Sequence, residues 1–440
     1  MDAARDPRSA RDSALTLGFA TAVTMWAIAY VGRLPAVTSP SALIGGLMLA
    51  AVAGWGWFAG RRTGRWSSGA AGGAVAGVIN LLILGSLVAG PDGALRSATL
   101  WWLPASVGAV AALAGAAAAL ATAPPGAIVD TDWTAMLTKV AVAATFLLVV
   151  AGGLVTSNEA GLAVVDWPNT FGSNMFLYPI SRMTGGIYYE HAHRLFGALV
   201  GLATLAVAFR LWRVDARSWV RAVAAAAVVV VAVQGLLGGL RVTGRLTLST
   251  AAEDMAPSIG LAILHGVLGQ VFMAAMVVVA AATSRRWRSA PTPEAVASAV
   301  GDRTLQATLV GALVVQLVLG AIQRHLAQGL IIHITLAAFV TIMAIAVGAR
   351  AWGLYQGRWP VPRLGQLLMG LVCVQVALGI AALAVTQGRA VVGHPTTVEV
   401  TIATAHQAAG AGLLALAVLL AAWTRRLFPP TTPSLSKIED

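Results

Sequence analysis

A group of ionisable side chains stands in residues 188–197, which read YYEHAHRLFG. The carboxylate of Glu190 and the imidazole of His193 are three residues apart, so on a helix they share a face. The apolar run that follows, 195–212, is long enough with its flanks to cross a bilayer. Ionisable groups at the edge of a membrane are costly, and by default they indicate function. We interpret this pair as a buried ligand with an acid or a base beside it.

Composition places these residues in a membrane protein. Of the 440 residues, 58% are hydrophobic and only 10% are charged, which is typical of an all-α polytopic membrane protein. The net charge of +12 comes mostly from arginines in short loops, so it indicates membrane orientation rather than nucleic-acid binding. The single cysteine, Cys373, excludes an intramolecular disulfide and a cysteine-based metal cluster.

About twelve segments satisfy the length that a membrane-spanning helix needs, roughly 20 residues. The expected spans are about 14–32, 41–60, 68–90, 98–122, 134–155, 192–212, 218–240, 261–283, 303–322, 331–352, 363–386 and 402–424. Proline and glycine interrupt any helix between the fourth and fifth spans. We therefore expect a block 1–123 of four extra helices, a linker 124–133, four-helix halves 134–285 and 303–427, and a tail 428–440.

Arginines cluster in alternate connections between these spans. The clusters are Arg5, Arg8 and Arg11; Arg61, Arg62 and Arg65; Arg213, Arg217 and Arg221; Arg285, Arg286 and Arg288; Arg350, Arg358 and Arg363; and Arg425 with Arg426. With twelve spans they all fall on one side, which the positive-inside rule assigns to the cytoplasm together with both termini. The opposite connections carry the carboxylates Glu159, Asp166, Glu190, Glu253, Asp254 and Glu399.

Four histidines recur at a regular spacing in the last eight spans. They lie near the outer starts of their spans, and 72 residues separate His193 from His265 while 73 separate His333 from His406. The strings QGLLG at 234–238, QLVLG at 316–320 and QVALG at 375–379 also echo one another. The last eight helices are therefore expected to form two parallel four-helix repeats, related by an axis along the membrane normal.

Paired histidines on neighbouring helices can offer two neutral imidazoles to one metal, and a haem iron is a natural occupant of such a bundle. A lone histidine in a membrane is as readily a hydrogen-bonding link between helices. That alternative does not account for four histidines at repeated positions. His191, His325 and His394 have no repeat partners, and we treat them as loop or supporting residues.

The two repeats differ around Glu190. Offsetting the halves places Leu330 opposite Glu190, so only the first half has a carboxylate beside its histidine. The loop 156–189 before that histidine is also long, and it contains the segments 165–169 and 174–178. Such a loop can cap a site at the outer face, or it can be an ordinary structured loop.

These motifs together resemble the haem A synthases. The resemblance covers about 134–424 and rests on Gly152–Thr156 (GGLVT), the Asp166-Trp-Pro loop, Glu190-x-x-His193-Arg194, Gly197, and the later His265, His333 and His406. It implies oxidation of the ring methyl of haem O to a formyl group, giving haem A for cytochrome oxidase, in the bacterial cytoplasmic (inner) membrane. It further implies that His193 and His265 flank haem O. By the same resemblance, His333 and His406 ligate haem b and Glu190 is catalytic. A haem O donor enzyme and an electron donor would be partners, and the resemblance is compatible with a homo-oligomer.

The chain departs from this family in lacking a cysteine pair in the first outer loop and in carrying the extra block 1–123, to which no role is assigned. Four arginines at outer helix ends can hold haem propionates, or they can simply anchor helices at the interface. They are Arg194, Arg241, Arg245 and Arg324. Two other classes of function stay open: a di-haem electron-transfer cytochrome without haem O turnover, and a twelve-span transporter.

Overall fold

The computed structural model describes residues 7–90, 95–124, 128, 130–246, 251, 253, 255–386 and 394–429. Some expected features lie outside these residues, namely Arg5, Asp254, parts of the linker, and the tail from 430 onward. All statements about the structure below concern the described residues.

Thirteen α-helices make up the described chain. They are α1 Pro7–Gly32, α2 Ser41–Thr63, α3 Trp66–Val88, α4 Trp102–Leu120, α5 Trp133–Ser157, α6 Gly185–Val214, α7 Ser218–Thr243, α8 Ile259–Thr283, α9 Arg285–Arg288, α10 Ala299–Leu326, α11 Leu330–Leu354, α12 Val361–Thr386 and α13 Thr397–Leu427. All except the four-residue α9 are long and apolar enough to span a membrane, which confirms the expected twelve spans and the helical fold class. Two elements depart from the expected pattern. Helix α6 begins at Gly185, before the apolar run, and a small hairpin of β1 Asn169–Thr170 and β2 Ser173–Asn174 lies in the loop before it.

The chain divides into two compact units. The first contains residues 1–262 with 394–401, and the second contains residues 263–393 with 402–440. Helices α1–α7 therefore belong to the first unit, and α9–α12 with most of α8 and α13 belong to the second.

Helices α1–α4, which we call the N-terminal block, pack through small residues. A Cβ atom at Gly73 of α3 would lie 2.6 Å from the carbonyl oxygen of Val110 in α4. Likewise, a Cβ at Gly56 of α2 would lie 2.8 Å from the Cα of Ala114 in α4. Only glycine allows the backbones to approach so closely, and such packing is a main source of helix association in lipid.

The N-terminal block also packs against α5 and α6 within the first unit. Near one end of α1, Asp12 forms an ion pair of 2.5 Å with Arg210 of α6, and Thr16 donates a hydrogen bond to the carbonyl oxygen of Trp133 in α5. Near the other end, Tyr188 of α6 donates a 2.6 Å hydrogen bond to the carbonyl oxygen of Tyr30. Helix α1 therefore lies along α6 and touches it near both ends.

The second unit has a polar cluster at one end of α10. The buried carboxylate of Asp302 accepts hydrogen bonds from Arg350 Nε at 2.6 Å and from the hydroxyl of Tyr355 at 2.5 Å. On the same helix, Gln306 donates to the hydroxyl of Thr424 in α13 at 3.0 Å. These contacts satisfy buried polar groups and fix the lateral position of α10 against α11 and α13.

Candidate functional site

Glu190 is buried in α6, with 4% of its surface exposed. Its Oε1 atom accepts a 3.3 Å hydrogen bond from Arg194 Nε, one helical turn away. Its Oε2 atom is buried and has no hydrogen-bond partner in the described part of the protein. Leaving a carboxylate oxygen buried without a partner is costly. The arrangement therefore provides one carboxylate oxygen that is held in place and one that is available to a bound group or a proton.

Arg194 connects this carboxylate to the α5–α6 loop, residues 158–184. Its Nη1 atom donates to the carbonyl oxygens of Asp166 at 2.7 Å and Asn169 at 3.0 Å, and its Nη2 atom donates to that of Val164 at 3.0 Å. With the bond to Glu190, four of the five guanidinium N–H groups are engaged. Arg194, which the sequence suggested for haem propionates, therefore has one N–H group without a partner among the described residues, and that group can make such a contact.

The Asp166-Trp-Pro motif folds the loop. The buried carboxylate of Asp166 accepts hydrogen bonds from the backbone N–H groups of Phe171 at 2.7 Å and Gly172 at 2.8 Å, which closes the turn of the β1–β2 hairpin. Gly172 has φ 74°, a left-handed conformation that favours glycine. Trp167 lies against Gly239 of α7, where a Cβ atom would collide with the indole ring. The motif thus shapes the loop that Arg194 holds.

Two further contacts fasten the loop to the helices. His191 is fully buried, and its Nδ1 atom lies 3.1 Å from the hydroxyl of Thr170 while its ring packs on Tyr178 at 5.2 Å between centroids. Arg241 of α7 donates a 2.6 Å hydrogen bond to the carbonyl oxygen of Gly161. His191 therefore contacts the loop, and Arg241 has at least one N–H group engaged there.

The two other arginines suggested for propionates lie at helix ends. Arg245 is exposed just beyond the end of α7, and its carbonyl oxygen accepts a hydrogen bond from Thr243. Arg324 lies in the last turn of α10. Their role in holding propionates stays a prediction.

Three of the four predicted ligand histidines share one local environment. In each case the imidazole lies against a glycine of the preceding long helix. A Cβ atom built at Gly152 would lie 3.0 Å from Cε1 of His193. The corresponding distances are 3.1 Å for a Cβ at Gly320 and Cε1 of His333, and 3.0 Å for a Cβ at Gly379 and Cε1 of His406. A larger side chain at these glycines would push the ring aside, so each glycine contributes to the orientation of its histidine.

The residues around His193 leave room for a flat group. Gly197 and Gly201 follow His193 at intervals of four residues, so all three lie on one face of α6. A Cβ atom at either glycine would have no neighbour within 4 Å. The histidine and the open space beside it fit a haem plane. His265 lies on α8 in the second unit, and its pairing with His193 stays a prediction.

His333 of α11 and His406 of α13 both lie in the second unit. The Nε2 atom of Gln316 lies 3.1 Å from Nδ1 of His333 and 2.9 Å from its carbonyl oxygen. The Nε2 atom of Gln375 lies 3.5 Å from Nε2 of His406, whose Nδ1 atom is buried and has no partner among the described residues. Both imidazoles are half-buried, and two neutral imidazoles on separate helices are the kind of ligands that a haem iron can take. The sequence showed these glutamines as parts of repeated strings, but their contacts with the histidines come from the structure.

Comparison with known proteins covers the region that holds most of these residues. Residues 135–335 match the model of the COX15-CtaA family, described as cytochrome oxidase assembly protein. No curated protein matches the chain. The matched region contains Glu190, Arg194, His193, His265 and His333, and it begins after the N-terminal block. The resemblance that the motifs indicated is therefore confirmed for residues 135–335, and this part of the chain is similar to the cytochrome oxidase assembly proteins of the haem A synthase family.

Proposed function

We propose that this protein is a haem-dependent oxidoreductase that converts the ring methyl of haem O to a formyl group, producing haem A for cytochrome oxidase. The family match indicates cytochrome oxidase assembly. The observation that carries the finer assignment is the buried Glu190, whose Oε2 atom has no partner among the described residues and which stands one helical turn from His193.

Four histidines would hold two haems in this proposal. His193 and His265 would flank haem O, whereas His333 and His406 would ligate haem b. These histidines would hold haem, and haem would supply the redox chemistry for oxidising a C–H bond, because side chains alone do not provide it. The glycine behind each of His193, His333 and His406 would keep the imidazole ring in a fixed orientation.

Glu190 would handle protons at the reacting methyl group. With dioxygen as the oxidant and oxygen source, the net conversion is R–CH3 + O2 → R–CHO + H2O. Two C–H bonds break in it, and a carboxylate oxygen held near the reacting carbon can accept a proton that leaves. Arg194 holds Oε1, so that Oε2 is the atom directed at the substrate or the proton. The α5–α6 loop, whose carbonyl oxygens Arg194 binds, would exclude bulk water from the site.

The wider setting follows from the same proposal. The protein would lie in the bacterial cytoplasmic membrane with both termini in the cytoplasm, and the α5–α6 loop would lie on the outer face. It would receive haem O from the enzyme that makes it and electrons from a donor protein. The last eight spans would form two related four-helix halves, with the haem O site in the first and the haem b site in the second.

A di-haem electron carrier is the second candidate, because it would use the same four histidines. It gives no reason for a buried carboxylate with an available oxygen, nor for the loop that Arg194 holds next to it. A twelve-span transporter would explain the number of spans, but it would not explain why three histidines each pack against a glycine of the preceding helix.

Haem extraction from the purified protein tests the proposal. We expect haem b together with haem O and haem A, separated by chromatography and identified by their pyridine haemochrome spectra. Glu190→Gln keeps the shape of the side chain but cannot exchange a proton, so haem O should accumulate while haem b stays unchanged. Glu159→Gln, in the α5–α6 loop, is the matched control and should make haem A normally. Haem b alone in the wild-type protein would favour the carrier, and no haem would favour the transporter.

A further inference from the structure

The N-terminal block touches the α5–α6 loop at the end of α3. Ser86 is buried, and its hydroxyl donates a 3.1 Å hydrogen bond to the carbonyl oxygen of Phe176 in the loop. A Cβ atom at the preceding Gly85 would lie 2.6 Å from that same carbonyl oxygen and 2.8 Å from the side chain of Leu177. The loop backbone therefore rests directly on α3, at a place where only glycine leaves room for it.

A second contact holds the beginning of α6. The hydroxyl of Tyr188 donates to the carbonyl oxygen of Tyr30, which is among the last carbonyls of α1 and so has no partner within its own helix. The two rings also stack, with centroids 5.6 Å apart and planes 9° from parallel. Tyr188 stands two residues before Glu190, so this contact positions the turn of α6 that carries the carboxylate.

A third contact lies just beyond Arg194. The ring of Phe196 packs edge-to-face against Trp26 at 5.7 Å and Tyr30 at 5.3 Å, both on α1. Trp26 is itself held by a 3.0 Å hydrogen bond from its indole N–H to the side-chain oxygen of Asn80 in α3. Helices α1 and α3, which contact α6 and the loop, are thus also linked to each other.

These three contacts lie on the same stretch of α6 as the Glu190–Arg194 pair and on the loop that Arg194 binds. Tyr188 and Phe196 bracket the pair along α6, and Phe176 lies in the loop whose carbonyl oxygens Arg194 binds. The region similar to the cytochrome oxidase assembly family begins at residue 135, so the N-terminal block is an addition outside it. The block therefore reaches both elements that determine where Glu190 points.

We propose that the N-terminal block is a positioning element, which fixes the rotation of α6 and keeps the α5–α6 loop closed over Glu190. Its effect on haem O oxidation rests on the function proposed above. Its effect on the loop does not, because loop closure can be measured without any haem chemistry.

The test uses Ser86→Ala and Tyr188→Phe, which each remove one hydroxyl and keep the rest of the side chain. The reporter is Val164→Cys in a Cys373→Ser background, because the side chain of Val164 is fully buried in the loop. The full-length protein in detergent is treated with a polar maleimide. We expect labelling at position 164 to be several-fold faster in both variants, and the ratio of haem A to haem O in cells to fall.

Two controls separate loop opening from general loosening. Val220→Cys reports on a buried position at the start of α7, away from the loop, and its labelling should stay slow. Ser106→Ala removes a hydroxyl from α4 that donates to the carbonyl oxygen of Leu103, three residues earlier in the same helix, and it should change neither labelling nor the haem ratio.

Unchanged labelling at 164, or equal acceleration at 164 and 220, would overturn the proposal that the block keeps the loop closed. Faster labelling at 164 with an unchanged haem ratio would overturn its effect on haem O oxidation. If the wild-type protein makes no haem A at all, the proposed function fails, and the labelling rates still decide whether the block closes the loop.

Discussion

Removal of the Arg194 side chain should be among the most damaging single changes in the first unit. The side chains of Arg194 and Glu190 are 8% and 6% exposed, so their ion pair is buried. Breaking a buried pair by deleting one partner costs about 3–5 kcal/mol, because the remaining charge is left uncompensated. Each hydrogen bond from a charged donor adds about 1.5–3 kcal/mol, and Arg194 makes three of these to loop carbonyls.

These contributions overlap, so we take about 5 kcal/mol as the expected loss for Arg194→Ala. The total stability of a typical domain is only about 5–15 kcal/mol, and such a loss would leave little folded protein. Part of it should be recovered by adding Glu190→Gln, since the neutral amide no longer leaves a buried charge. We expect this second change to restore about 1–3 kcal/mol, as is usual for residues in direct contact.

The assay compares the thermal unfolding midpoints of wild type, both single variants and the double variant in detergent. The double variant should unfold at a higher temperature than Arg194→Ala alone. Arg182→Ala is the control, because Arg182 lies exposed in the same loop and its loss should cost less than about 0.5 kcal/mol. If the effects of Arg194→Ala and Glu190→Gln simply add, the two side chains are not coupled, and the expected cost of breaking the ion pair is refuted.

Three further predictions follow from the fold and the site. A topology reporter fused to the C-terminus should lie in the cytoplasm, and a reporter inserted at Asn174 should lie outside the membrane. The opposite result at either position would contradict the orientation derived from the arginines. His333→Ala or His406→Ala should remove bound haem b, measured by the absorption spectrum, while the protein stays in the membrane, because each change deletes one of the proposed axial ligands. Gly152→Ala should tilt the imidazole of His193, because its Cβ would lie 3.0 Å from Cε1. It should lower the haem A content while sparing haem b, and a normal haem A content would show that the ring does not need this glycine.

The sequence was sufficient to predict the number of spans, because crossing a membrane requires long apolar segments that can be recognised without knowing their neighbours. It misplaced the start of α6. Residues 185–191 are more polar than a membrane segment, yet they are helical, because the loop and α1 cover them. A criterion based on apolar runs cannot detect a helical turn that is buried by protein rather than by lipid.

The motifs predicted which residues carry the chemistry, and the contacts between distant segments decided what each one touches. Glu190, His193 and Arg194 stand out in the sequence because charged and ligating groups are rare in apolar segments. That Arg194 binds the carbonyl oxygens of Val164, Asp166 and Asn169 depends on how the loop folds back, and local sequence does not encode that path.

The role of the N-terminal block needed the tertiary structure for the same reason. Its sequence contains few polar residues, and nothing in its pattern distinguishes Ser86 or Tyr30 from other residues near helix ends. Their partners, Phe176 and Tyr188, are 90 and 158 residues away along the chain. Hydrophobic length determines which segments enter the membrane, but the packing of small and aromatic side chains determines which helices become neighbours.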